Sequence, residues 1–378
     1  MNAPLTALHA QDTSAERDVY MSLELGESNW KVTFGDGRCA PKRHVVAAGD
    51  KQALWRCIEV VRARLGLAAT AKVHSCYEAG RDGWWLHRWL LEQGIDSIVV
   101  DSASIEVNRR ARRAKSDRID GDKLLSMLMR YHGGESRVWS VVRAPSPHEE
   151  DERWLDRERQ RLSKERNGHA NRIRCFLVMN NLRVRGAIGA GAWQRWWTQH
   201  CEQLLPRLRA LIERECERLQ LVDQQLRALA RQQRQEVRQG QQPKVAQLAT
   251  LRGIGLTSAW ALVKEIFGWR QLANRRQVGA CLGMVPTPYD SGNSHVEQGM
   301  SKTGNTRARS VMVELGWFWL RLQPQSALTQ WFNARFAHGS SRMRRIGIVA
   351  LARKLAIALW HFLEHGVIPE GAVLKPSV

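Results

Sequence analysis

Four acidic side chains are spaced so that together they could serve metal-dependent phosphoryl transfer. Glu24 falls in an alternating apolar run, and Glu78 closes the strand-like sequence HSCYEAG. KSDRIDGDKLL then puts Asp117 and Asp120 three residues apart at the start of a helix, facing one side, with Asp122 pointing elsewhere. Two divalent cations about 3.5–4 Å apart need several carboxylates on rigid elements, each ion keeping an open position. Taken singly, each acid has a plainer reading. Asp117 and Asp120 also complement a helix dipole, and Glu24 also suits a solvent-facing strand position.

Basic and glycine-rich sequences flank these acids and recur near the end of the chain. Arg109, Arg110, Arg112, Arg113 and Lys115 form a dense run just before the acidic pair, placed to draw a nucleic-acid backbone toward the metals. LATLRGIGLTSAWALVKEI sets Gly253 and Gly255 between two helical runs, as in a helix-hairpin-helix whose amides hold a phosphate; an ordinary interhelical turn reads the same way. Lys302, Thr303, Asn305, Arg307 and Arg309 suit phosphate binding and stabilisation of transition-state charge, with solvated helix charge as the competing reading. Trp196 and Trp197 lie beside Arg195, where they suit stacking on unpaired bases, although most of the 16 tryptophans fit core packing better.

The elements that must position these groups follow from composition and pattern. The 378 residues carry a formal charge of +21. That excess points to a polyanion, nucleic acid before anionic membrane. A hydrophobic content of 43% excludes a disordered chain. Seven scattered cysteines without a CxxC pair argue against a zinc site and a disulfide framework, and for a reducing cytoplasm. The N-terminus lacks a signal-peptide core, and the apolar run 346–363 is broken by Arg353 and Lys354, so no membrane span is expected.

Alternation predicts strands at 20–25, 30–34 and 44–47, then helix 51–65, strand 73–79, helix 84–93 and strand 95–100. This mixed α/β pattern fits a ribonuclease-H-like sheet as well as other three-layer folds. From Glu149 a long charged helix follows. After a Gly-rich gap comes a stripe of Leu205, Leu208, Ile212, Leu219, Val222, Leu226 and Leu229 with Glu215 as a polar intruder. That stripe predicts a coiled coil, either a dimer seam, which is slightly favoured, or a helix hairpin within the chain. Gln-rich 232–242 reads as a flexible linker, 287–309 as a loop, and the last domain as mostly helical, with helices at 276–282, 307–322 and 342–364.

The order of the acids resembles that of the DEDD transposases of the insertion-sequence one-hundred-ten family, and the likeness continues through ERQRLSKERNGHANRIRCFLVMNNLRV, LRGIGLTSAWALVKEI, QVGACLGMVPTPYDSGNS and MSKTGNTRAR. It implies an α/β plus α architecture: a tail at 1–18, a RuvC-like ribonuclease-H-type catalytic domain at 19–147, a long helix and coiled coil at 148–242, a C-terminal transposase domain with the helix-hairpin-helix at 243–370, and a tail at 371–378. By position it makes Glu24, Glu78, Asp117 and Asp120 the metal-binding tetrad, for Mg2+ or alternatively Mn2+. Glu24 stands where the family has aspartate. The likeness also implies a serine nucleophile, Ser291 in Tyr289-Asp290-Ser291-Gly292, with Ser294 and Ser301 as neighbouring competitors.

The expected partners are donor and target DNA, a structured bridge RNA that guides target choice, and further copies of the chain in a dimer or tetramer. The setting implied is the prokaryotic cytoplasm, at the nucleoid when DNA is bound. Two rivals are carried: a junction-resolving endonuclease that uses water, and a nucleic-acid-binding protein whose site has decayed at position 24.

Overall fold

A computed structural model describes residues 18–67, 70–80, 83–106, 117–135, 137–189, 191–291 and 294–376, without the side chains of 103, 117–119, 288–291 and 294–298. Residues 1–17 of the tail expected at 1–18 and the basic run Arg109, Arg110, Arg112, Arg113 and Lys115 lie outside the described residues. The chain divides into two compact units, Met1–Ala144 and Pro145–Val378.

In the first unit β1 (Val19–Leu25), β2 (Asn29–Gly35) and β3 (Lys42–Ala47) form an antiparallel meander. Two further strands, β4 (Val73–Glu78) and β5 (Asp96–Val100), extend it in parallel from β1, giving the order β3-β2-β1-β4-β5. Helices α1 (Lys51–Arg64) and α2 (Trp85–Glu92) precede the two parallel strands, as parallel pairing requires a crossover. Period-two alternation gives the sheet two apolar faces. Met21, Leu23, Val73, Tyr77 and Val99 cluster with Leu54, Ile58, Leu86 and Leu90 of α1 and α2. On the other face Cys76 and Val100 meet Leu124, Met127 and Leu128 of α3 (Asp117–His132). This mixed sheet is compatible with the expected ribonuclease-H-type domain. The helix lies close against it: Ser22 Oγ donates to the Gly121 carbonyl at 2.8 Å, and a Cβ at Gly121 would come within 2.7 Å of Thr33 Oγ1.

The second unit begins with α4 (Pro147–Met179), whose start is fixed by a capping box between Ser146 and Glu149. It packs beside α6 (Pro206–Arg238), with α5 (Gly191–His200), which the sequence reading omitted, filling the end of the pair. Ile212 and Leu219 of the predicted coiled-coil stripe are buried with Ile173 and Leu177 of α4. The middle of the stripe therefore closes a helix hairpin within the chain, while Leu205 at its start stays exposed. Its polar intruder, Glu215, is fully buried and accepts from His169, Arg172 and Arg218 at 2.7, 2.9 and 2.6 Å. Trp197 is buried in the same cluster, so it serves packing rather than base stacking, and Trp196 stacks on His200 at 4.5 Å. The Gln-rich linker is helical through Arg238, because glutamine costs a helix little.

The remaining helices are α7 (Pro243–Ala249), α8 (Leu256–Leu262) running on as a π-helical turn Val263–Phe267, α9 (Arg275–Cys281), α10 (Thr306–Leu322), α11 (Ala327–Phe336) and α12 (Ser341–His365). They enclose a core that includes Trp260, Leu315, Trp319, Leu355 and Leu359. Helix α11 was not foreseen. The region read as a loop contains an antiparallel hairpin, β6 (Pro286–Ser291) and β7 (Ser294–Met300). Gly292-Asn293 between them in the sequence is a pair of the type that short hairpin loops select, a signal masked by the polar composition of the flanks. Helix α12 is long and apolar enough to cross a bilayer, yet Ile348, Leu351, Leu355 and Leu359 are buried inside the unit. Residues 371–376 of the expected tail are pinned by Lys375, whose Nζ donates to the carbonyls of Ala249 and Ile254.

The close approach of α3 to β2 is testable. Gly121→Ala is expected to cost about 1–2 kcal/mol by overpacking against Thr33, and adding Thr33→Ala should recover part of the loss. Denaturant unfolding of the two single variants and the double variant measures the coupling; additive losses would show that the contact does not set the distance between helix and sheet.

Candidate active site

Parallel pairing of β1 and β4 sets the position of two of the four acids. The register couples Leu23 to Tyr77, so Glu24 and Glu78, one residue further on, end neighbouring strands at the same edge of the sheet. Period-two alternation places Glu24 with Ser22 and Glu78 with Cys76, on the face that α3 covers. Asp120 directly precedes Gly121, the acceptor of the Ser22 hydroxyl, and Asp117 starts the helix one turn earlier. The far end of α3 is at His132, which lies beside Tyr20 and His74 near the beginning of the strands. The first turn of α3 therefore lies toward Glu24 and Glu78. Lys31 stands opposite Glu24 on β2.

Glu24 and Asp120 are half-buried and Glu78 is exposed, while the Asp117 side chain lies outside the described residues. Asp122 turns away and accepts from Arg43 at 2.6 Å, and Asp36 accepts the amides of Arg38 and Cys39 in a turn. These two acids have structural partners. The set formed by Glu24, Glu78 and Asp120 offers hard carboxylate oxygens, the donors that magnesium prefers.

A second donor group occupies the other end of the same face. His74, Asp96 and His132 bring one ligand atom each within 4.8 Å of one another. His74 is held by Asp96 Oδ2 at 2.8 Å from Nδ1 and by Asp18 Oδ2 at 3.1 Å from Nε2. Burial, aided by the neighbouring His74, pushes the His132 imidazole below its ordinary value, toward the neutral form that ligates metals. Imidazole with carboxylate suits zinc-like ions rather than magnesium. Sequence reasoning missed this group because its members come from β4, β5 and α3 with no close spacing.

In the second unit Ser291 ends β6 in register with Ser294; neither side chain is described. Ser301 is fixed at the base of the hairpin, its amide donating to the Val285 carbonyl at 2.9 Å. The segments LGMVP and SKTGN, far apart in sequence, are laced together: Lys302 N donates to Gly283 O at 3.0 Å and Asn305 N to Cys281 O at 2.7 Å. Lys302, with a left-handed φ of 58°, and Thr303 are exposed. The other three predicted phosphate contacts point at protein acceptors. Asn305 caps α10 and donates to Glu265 at 2.9 Å, Arg307 reaches Glu265 at 3.3 Å, and Arg309 donates to the carbonyls of Leu282 and Lys302. Their geometry assigns them to holding the loop. Between α7 and α8, Gly253 has a φ of +96°, a conformation that favours glycine, and exposed Gly255 caps α8.

Glu265 itself lies in the π-helical turn and is 1% exposed. Arg157 donates to it at 3.1 Å and Arg153 lies 3.9 Å away, both from α4. Burial pushes its carboxyl up, but the hydrogen bonds from Arg157 and Asn305 and the charges of Arg157 and Arg153 outweigh that and hold it below its ordinary value. Beside it, Lys264 pairs with Glu152 at 2.8 Å and with Gln242 at 2.7 Å. Sequence reading missed Glu265 because KEI inside an apolar helix looks like an exposed turn of charge.

Comparison with known proteins adds to this geometry. A family model described as Transposase IS116/IS110/IS902 family matches residues 245–331, a span that holds Ser291 and the 302–309 loop. A Sinorhizobium fredii protein that carries a transposase name, y4rJ, is 40% identical over 383 residues, with 94% of each chain covered. The transposase for insertion sequence element IS1328 of Yersinia enterocolitica is 30% identical over 123 residues, covering 32% of this chain and 36% of that one. The transposase for insertion sequence element IS1111A of Coxiella burnetii is 29% identical over 117 residues, covering 30% and 31%.

The carboxyl of Glu265 is lowered on folding, so its stabilisation is fully present above the ordinary value of 4.5 and is lost as pH falls through the folded value. Unfolding free energy should therefore drop with acid below about pH 4.5, and Glu265→Gln should flatten that part of the profile while lowering stability at neutral pH. Denaturant melts across pH read both effects; an unchanged slope in Glu265→Gln would remove this carboxylate as the titrating group.

Proposed function

The chain belongs to the Transposase IS116/IS110/IS902 family, and from that premise we propose that it moves an insertion sequence by metal-dependent, site-specific exchange of DNA strands. The observation that carries the reading is the pairing of β1 with β4, which ends Glu24 and Glu78 side by side on the face where α3 brings Asp120. In this reading Glu24, Glu78, Asp117 and Asp120 hold Mg2+, or Mn2+ in its place. The bound ions would neutralise the phosphate and help to ionise the attacking hydroxyl.

The nucleophile in this reading is Ser291. Its hydroxyl attacks a DNA phosphate and loses its proton, a deoxyribose hydroxyl leaves, and the protein-linked phosphodiester keeps the bond energy for rejoining. The basic run 109–115 brings the backbone toward the acids, Gly253 and Gly255 offer amides to phosphate, and Lys302 and Thr303 meet phosphate from the loop that Asn305, Arg307 and Arg309 hold. A structured guide RNA would read donor and target by base pairing, leaving the protein to bind mainly through backbone and shape. Assembly into a dimer or tetramer would let the acids of one copy serve the serine of another. The site of action would be the nucleoid in a prokaryotic cytoplasm.

The test is protein with donor and target DNA, RNA transcribed from the DNA flanking the element, and Mg2+ or Mn2+, resolved on a denaturing gel. Wild type should give a protein-linked DNA strand, absent in Ser291→Ala and in Asp120→Asn, and Glu24→Asp should keep it. An adduct that survives Ser291→Ala would shift the nucleophile to another residue, Ser294 or Ser301 first. Metal-dependent free ends without any adduct would replace the reading with a water-using junction endonuclease.

A further inference from the structure

The second unit contains a groove of about 1000 Å³, bounded by α9, the base of the β6–β7 hairpin, α11 and α12. Six cations line it: Arg275, Arg276, Arg342, Arg345, Arg353 and Lys354. Among the described residues none of them has an ion-pair partner, in contrast to the arginines gathered around Glu265 and Glu215. The floor is apolar, with Met284, Trp331, Ile346, Val349 and Ile357. Ile346 is 51% exposed and continuous with the rest of this floor, so the apolar surface is a patch rather than a lone side chain. Lys354 Nζ sits 4.8 Å from the centre of the Trp331 ring, which keeps a cation at the aromatic wall.

We propose that this groove holds an unpaired DNA strand, with bases against the apolar floor and phosphates on the cationic rim. A duplex hides the faces of its bases and presents sugar and phosphate, so an apolar floor gains nothing from it; a single strand offers both surfaces at once. The six cations supply the complementary charge, and among the described residues no carboxylate in the lining competes with it. The lining also selects the sugar. Among the described residues it contains no acidic, amide or hydroxyl side chain, so a ribose 2′-hydroxyl would lose water and find no side-chain acceptor, whereas deoxyribose loses nothing. Pro286, Gly299 and Met300 at the hairpin base belong to the lining, and the same β6 strand ends at Ser291. The groove thus deepens the strand-exchange reading, on which its purpose rests, by naming where the freed strand lies.

The experiment uses the full chain as Ser291→Ala, in EDTA, so that no bond is made. Fluorescence anisotropy follows labelled oligothymidylate, oligodeoxyuridylate, oligouridylate and an A·T duplex of equal length over a range of salt. Oligothymidylate should bind more tightly than oligouridylate, and so should oligodeoxyuridylate, which differs from oligouridylate only in its sugar. Arg276→Ala with Arg342→Ala should weaken oligothymidylate about tenfold or more and flatten its logarithmic salt slope by about 1.4, two counterions fewer on a single strand. Ile346→Glu should weaken it as well, and duplex binding should stay within about twofold in these variants. All three residues are exposed, and unchanged thermal unfolding would show that the fold is kept.

Equal losses for duplex and single strand, oligouridylate bound as tightly as oligothymidylate, or unchanged binding in the variants would each overturn the proposal. The two readings fail separately. Binding in this groove with no metal-dependent joining in the Ser291 protein keeps the groove and removes strand exchange; joining without groove-dependent binding does the reverse.

Discussion

A carboxylate taken out of water has to be matched by charge and hydrogen bonds, and Glu265 shows how much structure that requirement organises. Its partners come from α4 through Arg153 and Arg157 and from the start of α10 through Asn305 and Arg307. The π-helical turn has Lys264 and Glu265 buried in succession, so that α4 is engaged twice, by Glu152 on the lysine and by the arginines on the glutamate. Breaking such a buried cluster by removing one partner typically costs about 3–5 kcal/mol. The loop carrying Lys302 and Thr303 inherits its shape from this cluster, since Asn305 both caps α10 and bonds Glu265. Presentation of two exposed polar residues thus depends on a charge that never meets solvent.

The same logic divides the large positive charge into two populations. Arginines that face a buried acid, around Glu265 and Glu215, serve the fold, each cluster matching part of its positive charge with one carboxylate. Those of α9 and the start of α12 face an apolar groove in whose lining, among the described residues, no acid stands, so their charge is directed outward. Composition gave the net excess but not this division. A basic residue's role is set by whether a carboxylate lies across from it, and those carboxylates sit on other helices, far away in sequence.

What was legible in the chain was local. Strand alternation in VYMSLEL and NWKVTFG, the helix after Asp50 and the long charged helix all reappear close to their predicted limits, because burial on one face writes a period into the sequence. The heptad-like stripe around Ile212 and Leu219 was equally legible, but a stripe says only that something apolar must cover it. Here α4 of the same chain does so. The hairpin under Ser291 was hidden because its strands are polar and short. For the acids, their identity and order could be read, but not the parallel register that sets Glu24 beside Glu78, since that pairing skips over β2, β3 and α1 and leaves no local trace.

Helix α3 acts as a ruler across the sheet face. Gly121 lets it approach β2 to a distance that any side chain would increase, and the Ser22 hydroxyl fixes its rotation at that point. From this anchor the helix has two ends with different chemistry: Asp120 and Asp117 toward the carboxylates that finish β1 and β4, and His132 toward His74 and Asp96 where β4 and β5 begin. Carboxylates alone thus stand at one end, and two imidazoles with Asp96 at the other, so the two ends offer different donor chemistry. Glu24 has one methylene more than aspartate and stands next to last in the central strand β1, one pairing short of the strand's end. Because the anchor lies two residues away on the same strand, the added reach of Glu24 can be taken up by its own rotamer without displacing the helix that carries Asp120.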